Sequence, residues 1–234
     1  MTRQKEEYKT YKDVFDQSTI KTLFKLISEG KFKGLESPLF MGKEANVFTA
    51  ITKENKKIIV KVYRIQSCDF KKMYNYIRAD TRFKGLKRNR MKIVYAWTQR
   101  EFRNLLKARE AGVKVPIPIT FSNNVLLMQF IGNKEPAPRI KDKPAKEMQK
   151  FLEQTITNMQ KLYKKAGLIH GDLSAFNILN FHEKPVFIDF SQATTTKNPN
   201  AEEYLERDIR NIANFFKKHQ ISITPGEIKQ KIIS

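Results

Sequence analysis

The chain has 234 residues, 40% hydrophobic and 29% charged, with 17 Phe, 8 Tyr and 1 Trp; this excludes a disordered tract or a long multidomain assembly and fits one domain or a compact two-lobed one. The longest apolar run, Ile93 to Trp97, is far below the roughly 20 residues that cross a bilayer, the start is charged rather than signal-like, and a lone Cys68 offers no intrachain disulfide. No membrane association is expected, and a reducing, cytoplasmic setting is. With 45 Lys+Arg against 24 Asp+Glu, the net charge is +21, a field that attracts polyanions or, more plainly, keeps the chain soluble.

In chain order, Ile20, Leu23, Phe24, Leu26 and Ile27 recur at helical spacing over Thr19 to Glu29, and Gly30 stands at the C-cap. Two β-favouring stretches, Val47 to Ile51 and Lys57 to Tyr63, are split by the polar turn Thr52 to Asn55, which predicts antiparallel hairpins. A basic stretch follows: Arg64 to Lys92 holds ten Lys and Arg against Asp69 and Asp80, with aromatics interleaved, the composition of a phosphate-backbone surface. Next come a helix over Trp97 to Glu110, closed by Gly112, and two short strands, Val115 to Phe121 and Val125 to Phe130. Beyond Gly132 the spacing predicts a long helix from Ala145 to Lys165, strand-like pieces at Ile178 to Leu179 and Val186 to Ile188, and a last helix, Ala201 to Lys218. The order describes an α+β molecule of two lobes with a cleft: an N-terminal helical extension (1–36), a mainly β lobe (37–131) and a mainly α lobe (132–234).

The strongest local string runs from Ile169 to Leu179. Asp172 and Asn177, five residues apart between apolar anchors, can direct a carboxylate at a hydroxyl proton and an amide oxygen at a metal. Asp189 ends the apolar strand Pro185 to Ile188; with Asn177 it could hold Mg²⁺ on nucleotide phosphates through hard oxygen ligands. Either residue alone is equally a turn former, so the ordered set carries the reading. Lys61, within Ile58 to Tyr63, needs solvent or an anion beside it, and by itself reads as an outward-facing strand lysine. Glu101 changes that balance. It shares a helix face with Trp97, Leu105 and Ala108, an odd place for a carboxylate without a buried cation, although a surface acid supporting Lys107 or Arg103 is the plain alternative. Gly42-Lys43-Glu44-Ala45-Asn46-Val47 has one glycine rather than the GxGxxG of ordinary kinases, and only the downstream residues make it more than a hairpin turn.

Taken with Leu127 to Gly132, Ser191-Gln192 and Tyr204 to Arg210, these motifs resemble the RIO family of atypical protein kinases, most closely its first subfamily in archaeal-length form, over most of the chain. The resemblance implies a protein-kinase-like fold without the activation loop and peptide-binding subdomains. It implies Asp172 as catalytic base, Asn177 and Asp189 as Mg²⁺ (or Mn²⁺) ligands, and Lys61 paired to Glu101 on the phosphates of ATP. Nucleotide contacts are expected from Gly42, Lys43, Glu44, Ala45 and Val47, from the backbone of Gln129 and Ile131, and from Met128 beside the adenine. It further implies a flexible basic loop at 64–92, action on the pre-ribosomal small subunit or its rRNA, and phosphate acceptance by Asp189, so that the chain is a serine/threonine kinase, an ATPase switch, or both. Ser67, in that loop, is a candidate autophosphorylation site. Phe40, Met41 and Ala175 depart from the subfamily's usual residues, and His170-Gly171-Asp172 is similar to the second subfamily's form; too few residues precede Gly42 for that subfamily's winged-helix domain. A small-molecule phosphotransferase of the aminoglycoside or choline kinase type, and an assembly factor that binds nucleotide without hydrolysing it, remain as alternatives.

Overall fold

The computed structural model describes residues 15–83 and 85–234; the first part of the expected N-terminal extension, 1–14, lies outside them. The described chain divides into two compact units. The first holds the residues up to Arg78, Phe83–Gln99 and Pro118–Phe130, and the second holds Ala79–Arg82, Arg100–Ile117 and Ile131–Ser234.

The first unit is organised by one sheet. Helix α1 (Gln17–Ser28) is opened by Asp16, whose carboxylate accepts the Thr19 amide at 3.0 Å, an N-cap that satisfies one of the helix's orphan donors. It is closed by Gly30 at φ +73°, with Gly30 N–H on the Ile27 carbonyl and Lys31 N–H on that of Leu26, the paired bonds of a Schellman cap. Strands β1 (Leu35–Met41), β2 (Ala45–Ile51), β3 (Lys57–Tyr63), β4 (Pro118–Ser122) and β5 (Val125–Gln129) form an antiparallel sheet in the order β1-β2-β3-β5-β4. One face carries Phe48, Ala50, Ile58, Val60, Val62, Val125 and Leu127, and buries Leu23 and Leu26 of α1. Each of those leucines contributes about 1.5–3 kcal/mol by leaving water. Since side chains alternate along a strand, the register β2 Val47, β3 Lys61, β5 Leu126 puts these three on the other face.

The stretch 64–92, expected as a flexible loop, contains helix α2 (Phe70–Arg78) and a 3-10 turn at Thr81–Phe83. The physical reason is a pair of apolar residues four apart among the basic ones. Met73 and Ile77 are buried against Ile93, Val94 and Trp97, and Tyr76 meets the Trp97 ring edge-on at 5.7 Å. The following helix, α3 (Arg90–Glu110), accordingly begins before Trp97.

In the second unit, the end of α3 is joined by α4 (Met148–Lys164), β6 (Leu168–Ile169), β7 (Ile178–Phe181), β8 (Lys184–Phe187), β9 (Thr194–Thr195), α5 (Ala201–Lys217) and α6 (Pro225–Ile233). β7 pairs with β8 and β6 with β9, both antiparallel. The sequence reading ended the fold at Lys218, and α6 corrects it. Thr224 and Glu227 cap each other reciprocally, Pro225 sets the first turn, and Ile228 and Ile232 are fully buried where α6 packs on α4 and α5.

Candidate active site

In the first unit, three of the expected nucleotide-binding side chains share one sheet face. Val47 and Lys61 are direct cross-strand partners, and Met128 lies opposite Ile59, two residues before Lys61 on the same side. Lys61 is 6% exposed, and its ammonium stands 5.0 Å from the centre of the Tyr63 ring. It is therefore not the solvent-facing strand lysine that its sequence context allowed. The turn before β2 is tight: Gly42 N–H donates to the Ala45 carbonyl at 3.0 Å, and a Cβ at Gly42 would meet the Phe40 ring at 2.6 Å. Residues after β3 hold the outside of this turn. Arg64 donates from its amide to the Glu44 carbonyl and from its guanidinium to that of Gly42, Ser67 Oγ donates to the Lys43 carbonyl at 3.2 Å, and Lys72 pairs with Glu44 at 3.8 Å. Lys43 and Ser67 are exposed, as is Gln129.

The second unit gathers Asp172, Asn177 and Asp189 around the open end of one hairpin. β7 and β8 pair Ile178 with Phe187, and the Ile188 amide continues the ladder onto the Asn177 carbonyl at 3.0 Å. Asn177 thus enters the hairpin as Asp189 leaves it. The Asn177 side-chain NH₂ donates to the Asp172 carbonyl at 2.8 Å and reaches its Oδ2 at 3.4 Å. Its amide oxygen is left as the ligand end. Gln192 Nε2 also donates to Asp172 Oδ2, at 3.2 Å, and Ser191 Oγ donates to Asp189 Oδ1 at 2.6 Å. Nε2 of the buried His170 lies 3.0 Å from the Ile188 carbonyl, an acceptor, so this nitrogen carries the proton. Both donors of this set, an amide oxygen and a carboxylate, suit a hard divalent cation. Among the described residues no cluster of three or more His, Cys, Asp or Glu could hold a metal. A cation at the hairpin end would therefore draw further ligands from phosphate and water, as Mg²⁺ ordinarily does.

Asp208 of α5 holds the loop that carries Asp172. Its two carboxylate oxygens accept the Gly171 amide at 2.8 Å and the Leu173 amide at 2.7 Å, on either side of Asp172. It is 1% exposed, and that burial pushes its carboxyl up to about 7 against the opposing pull of the two amides and Arg207. The neighbouring Arg207 donates to the Gly171 carbonyl and Asn211 to that of Leu173. Gly171 has φ +75°, and a Cβ there would sit 2.9 Å from the Gln192 carbonyl oxygen, so only glycine fits. The remaining expected residues are Glu101, fully buried on the part of α3 in the second unit, and Ile131, whose carbonyl accepts the Ala137 amide at 2.9 Å. Gln192, Ser191 and Asp208 were not singled out as site residues from the sequence. All three fall within motifs of the family resemblance, and Asp208 carries a further signal: an acid between Leu205, Ile209 and Ile212 on the buried stripe of a helix.

An antiparallel sheet with a buried lysine on its third strand, and an Asp-to-Asn loop feeding a hairpin that ends in Asp, are elements of a protein-kinase-like fold. A RIO domain matches residues 46–228. The RIO-type serine/threonine-protein kinase Rio1 of Methanocaldococcus jannaschii is 42% identical over 217 residues, covering 92% of this chain and 74% of that protein. Its counterpart in Haloferax volcanii is 39% identical over 214 residues, covering 91% and 73%. Among solved structures, the Rio2 kinase-ADP/Mg²⁺-phosphoaspartate complex of Chaetomium thermophilum superposes with a TM-score of 0.71 at 25% identity, over 90% of this chain and 64% of that one. The chain belongs to the RIO family of atypical protein kinases.

Proposed function

We propose that the protein transfers the γ-phosphoryl group of ATP, with Mg²⁺ or Mn²⁺, to a serine or threonine hydroxyl or to water, as a kinase and ATPase switch in maturation of the small ribosomal subunit. The observation that carries this reading is the convergence of Asp172, Asn177 and Asp189 on the hairpin end, with the Asn177 NH₂ turned toward Asp172. Asp172, which accepts hydrogen bonds from Gln192 and Asn177 and is flanked by two clamped amides, would accept the proton of an incoming hydroxyl. Asn177 and Asp189 would hold the metal, which supplies charge neutralisation for a loose transition state. On the sheet of the first unit, the buried cation of Lys61 suits a phosphate and Val47 and Met128 on the same face suit an adenine ring.

The phosphoaspartate in the Chaetomium relative extends the proposal to Asp189. A carboxylate oxygen attacks the γ-phosphorus, the bond to the β,γ-bridging oxygen breaks, ADP leaves with that electron pair, and water later hydrolyses the acyl-phosphate. For the ribosomal partner the support is charge. The exposed Lys71, Arg78 and Arg88 of the 64–92 stretch present cations at a surface, and Arg88 and Arg90 lie over the Phe70 ring at 5.8 and 5.3 Å. The test is phosphate transfer from labelled ATP by wild type, Asp172→Ala and Lys61→Ala. Both variants should lose most transfer while keeping wild-type circular dichroism. Wild-type turnover in either would count against the assignment.

A further inference from the structure

One buried charge network in the second unit is not used by this chemistry. Asp80 and Arg100 are both buried, Arg100 at 0% exposure. Arg100 Nε donates to Asp80 Oδ2 at 3.1 Å, and Arg82 grips the same carboxylate with Nε at 2.9 Å and Nη2 at 2.6 Å. Burial by itself raises the Asp80 carboxyl, but the Arg82 hydrogen bonds and the two guanidinium charges outweigh it and hold the group below its ordinary value, ionised at neutral pH. A buried ion pair is costly to desolvate and is weak evidence for stability, so what it is attached to decides its use.

The attachment is the turn that follows Asp189. Arg100 Nη1 donates to the Ser191 carbonyl at 2.9 Å. One helical turn further along α3, the fully buried Asn104 donates to the carbonyls of Phe190 at 3.2 Å and Ala193 at 2.8 Å, and its own oxygen accepts Arg82 Nη2 at 3.0 Å. Three carbonyls of one short turn are thus held by two buried side chains, and Asp80 and Arg82 hold both of those. The turn reaches the site directly, since Ser191 Oγ donates to Asp189 Oδ1. It also needs holding, because Asp189 has φ +62°, a left-handed conformation that non-glycine residues rarely keep without support.

We propose that Asp80, acting on Arg100 directly and on Asn104 through Arg82, is a positioning residue that fixes the 189–193 turn and so sets how Asp189 is presented to the metal-nucleotide. This rests on the reading of Asp189 given above. The Asp80→Asn variant keeps the shape and removes the charge that orients Arg100. Expected in Mg²⁺ titrations at saturating ATP is a rise of at least fivefold in half-saturating Mg²⁺ and a roughly tenfold fall in kcat, with KM for ATP within twofold of wild type. In the nucleotide-free protein, hydrogen exchange over 189–195 should quicken at least tenfold while that of the helix at 148–164 stays unchanged. Arg100→Lys, which keeps the charge but not the fork, should fall between wild type and Asp80→Asn. A variant with unaltered exchange and a wild-type Mg²⁺ profile overturns the proposal, and so does faster exchange with a wild-type profile, which would make the network structural only. If Asp80→Asn does not fold, Asn104→Ser and Arg100→Lys must show the same two shifts, and their absence overturns it equally. Wild-type protein without Mg²⁺-dependent turnover, but with exchange quickened in Asp80→Asn, would sink the phosphotransfer reading while leaving the clamp on the turn in place.

Discussion

Replacing Asp208 by Asn keeps the side chain's size and removes its ability to titrate. In the native protein, both oxygens accept backbone amides, from Gly171 and Leu173. The amide keeps one acceptor and turns an N–H against the other donor, leaving it unsatisfied at about 1–3 kcal/mol. The pH dependence separates this from an ordinary core defect. The Asp208 carboxyl is raised from 3.8 to about 7 in the folded state, so across that window the native chain holds a proton that the unfolded chain releases. The group's contribution is therefore fully present below about pH 3.8 and is lost as pH rises to about 7, some 4 kcal/mol in all. Asn contributes no such slope. Urea denaturation of both proteins at about pH 5 and about pH 8 should show the wild-type advantage larger at pH 5, by about 3 kcal/mol. An advantage that is equal at the two pH values, or wider at pH 8, would refute the assignment of the raised carboxyl to Asp208.

Three further outcomes follow from particular contacts. Gly171→Ala places a methyl 2.9 Å from the Gln192 carbonyl at φ +75°; we expect a loss of about 1–3 kcal/mol in thermal unfolding and, since Gln192 orients Asp172, at least a tenfold loss of turnover. Thr224→Ala breaks the reciprocal cap of α6 and should cost about 1 kcal/mol, a Tm fall of about 2–4 °C, with turnover unchanged. Neutralising the exposed Lys71, Arg78 and Arg88 should weaken binding to a single-stranded RNA probe and reduce the slope of log affinity against log salt by about 2, while leaving ATP turnover within twofold; an unchanged slope would place the polyanion contact elsewhere.

The readable parts of this sequence were those in which one period or one spacing decides the outcome. Lys57 to Tyr63 is a run of β-favouring residues and is the third strand, and the Asp172, Asn177, Asp189 series falls on one hairpin because two short paired strands, β7 and β8, separate Asn177 from Asp189. Glu101, an acid on an apolar helix face, is fully buried, which decides against the surface acid that its sequence context also allowed. Helix α2 escaped because its apolar stripe is only Met73 and Ile77, outnumbered by lysine and arginine that stay in solvent. Helix α6 escaped for the same reason of length, although Thr224-Pro225-Gly226-Glu227 is a capping box with proline in the first turn, and that signal stood in the chain unread. Ser191 and Gln192 are legible only as part of a motif and without their roles, and the Asp80 network is not legible: Arg100 reaches a carbonyl 91 positions away, and nothing in local spacing encodes such a bond.

The measurement closest to the central claim is steady-state ATP hydrolysis and phosphate transfer by wild type and Asp189→Asn, each with Mg²⁺ and with EDTA, alongside equilibrium binding of ATP to both proteins. The account predicts turnover by wild type that requires Mg²⁺, a loss of at least about a hundredfold in Asp189→Asn, and ATP binding that survives the substitution. Equal turnover by the two proteins, or wild-type turnover indifferent to EDTA, would contradict it.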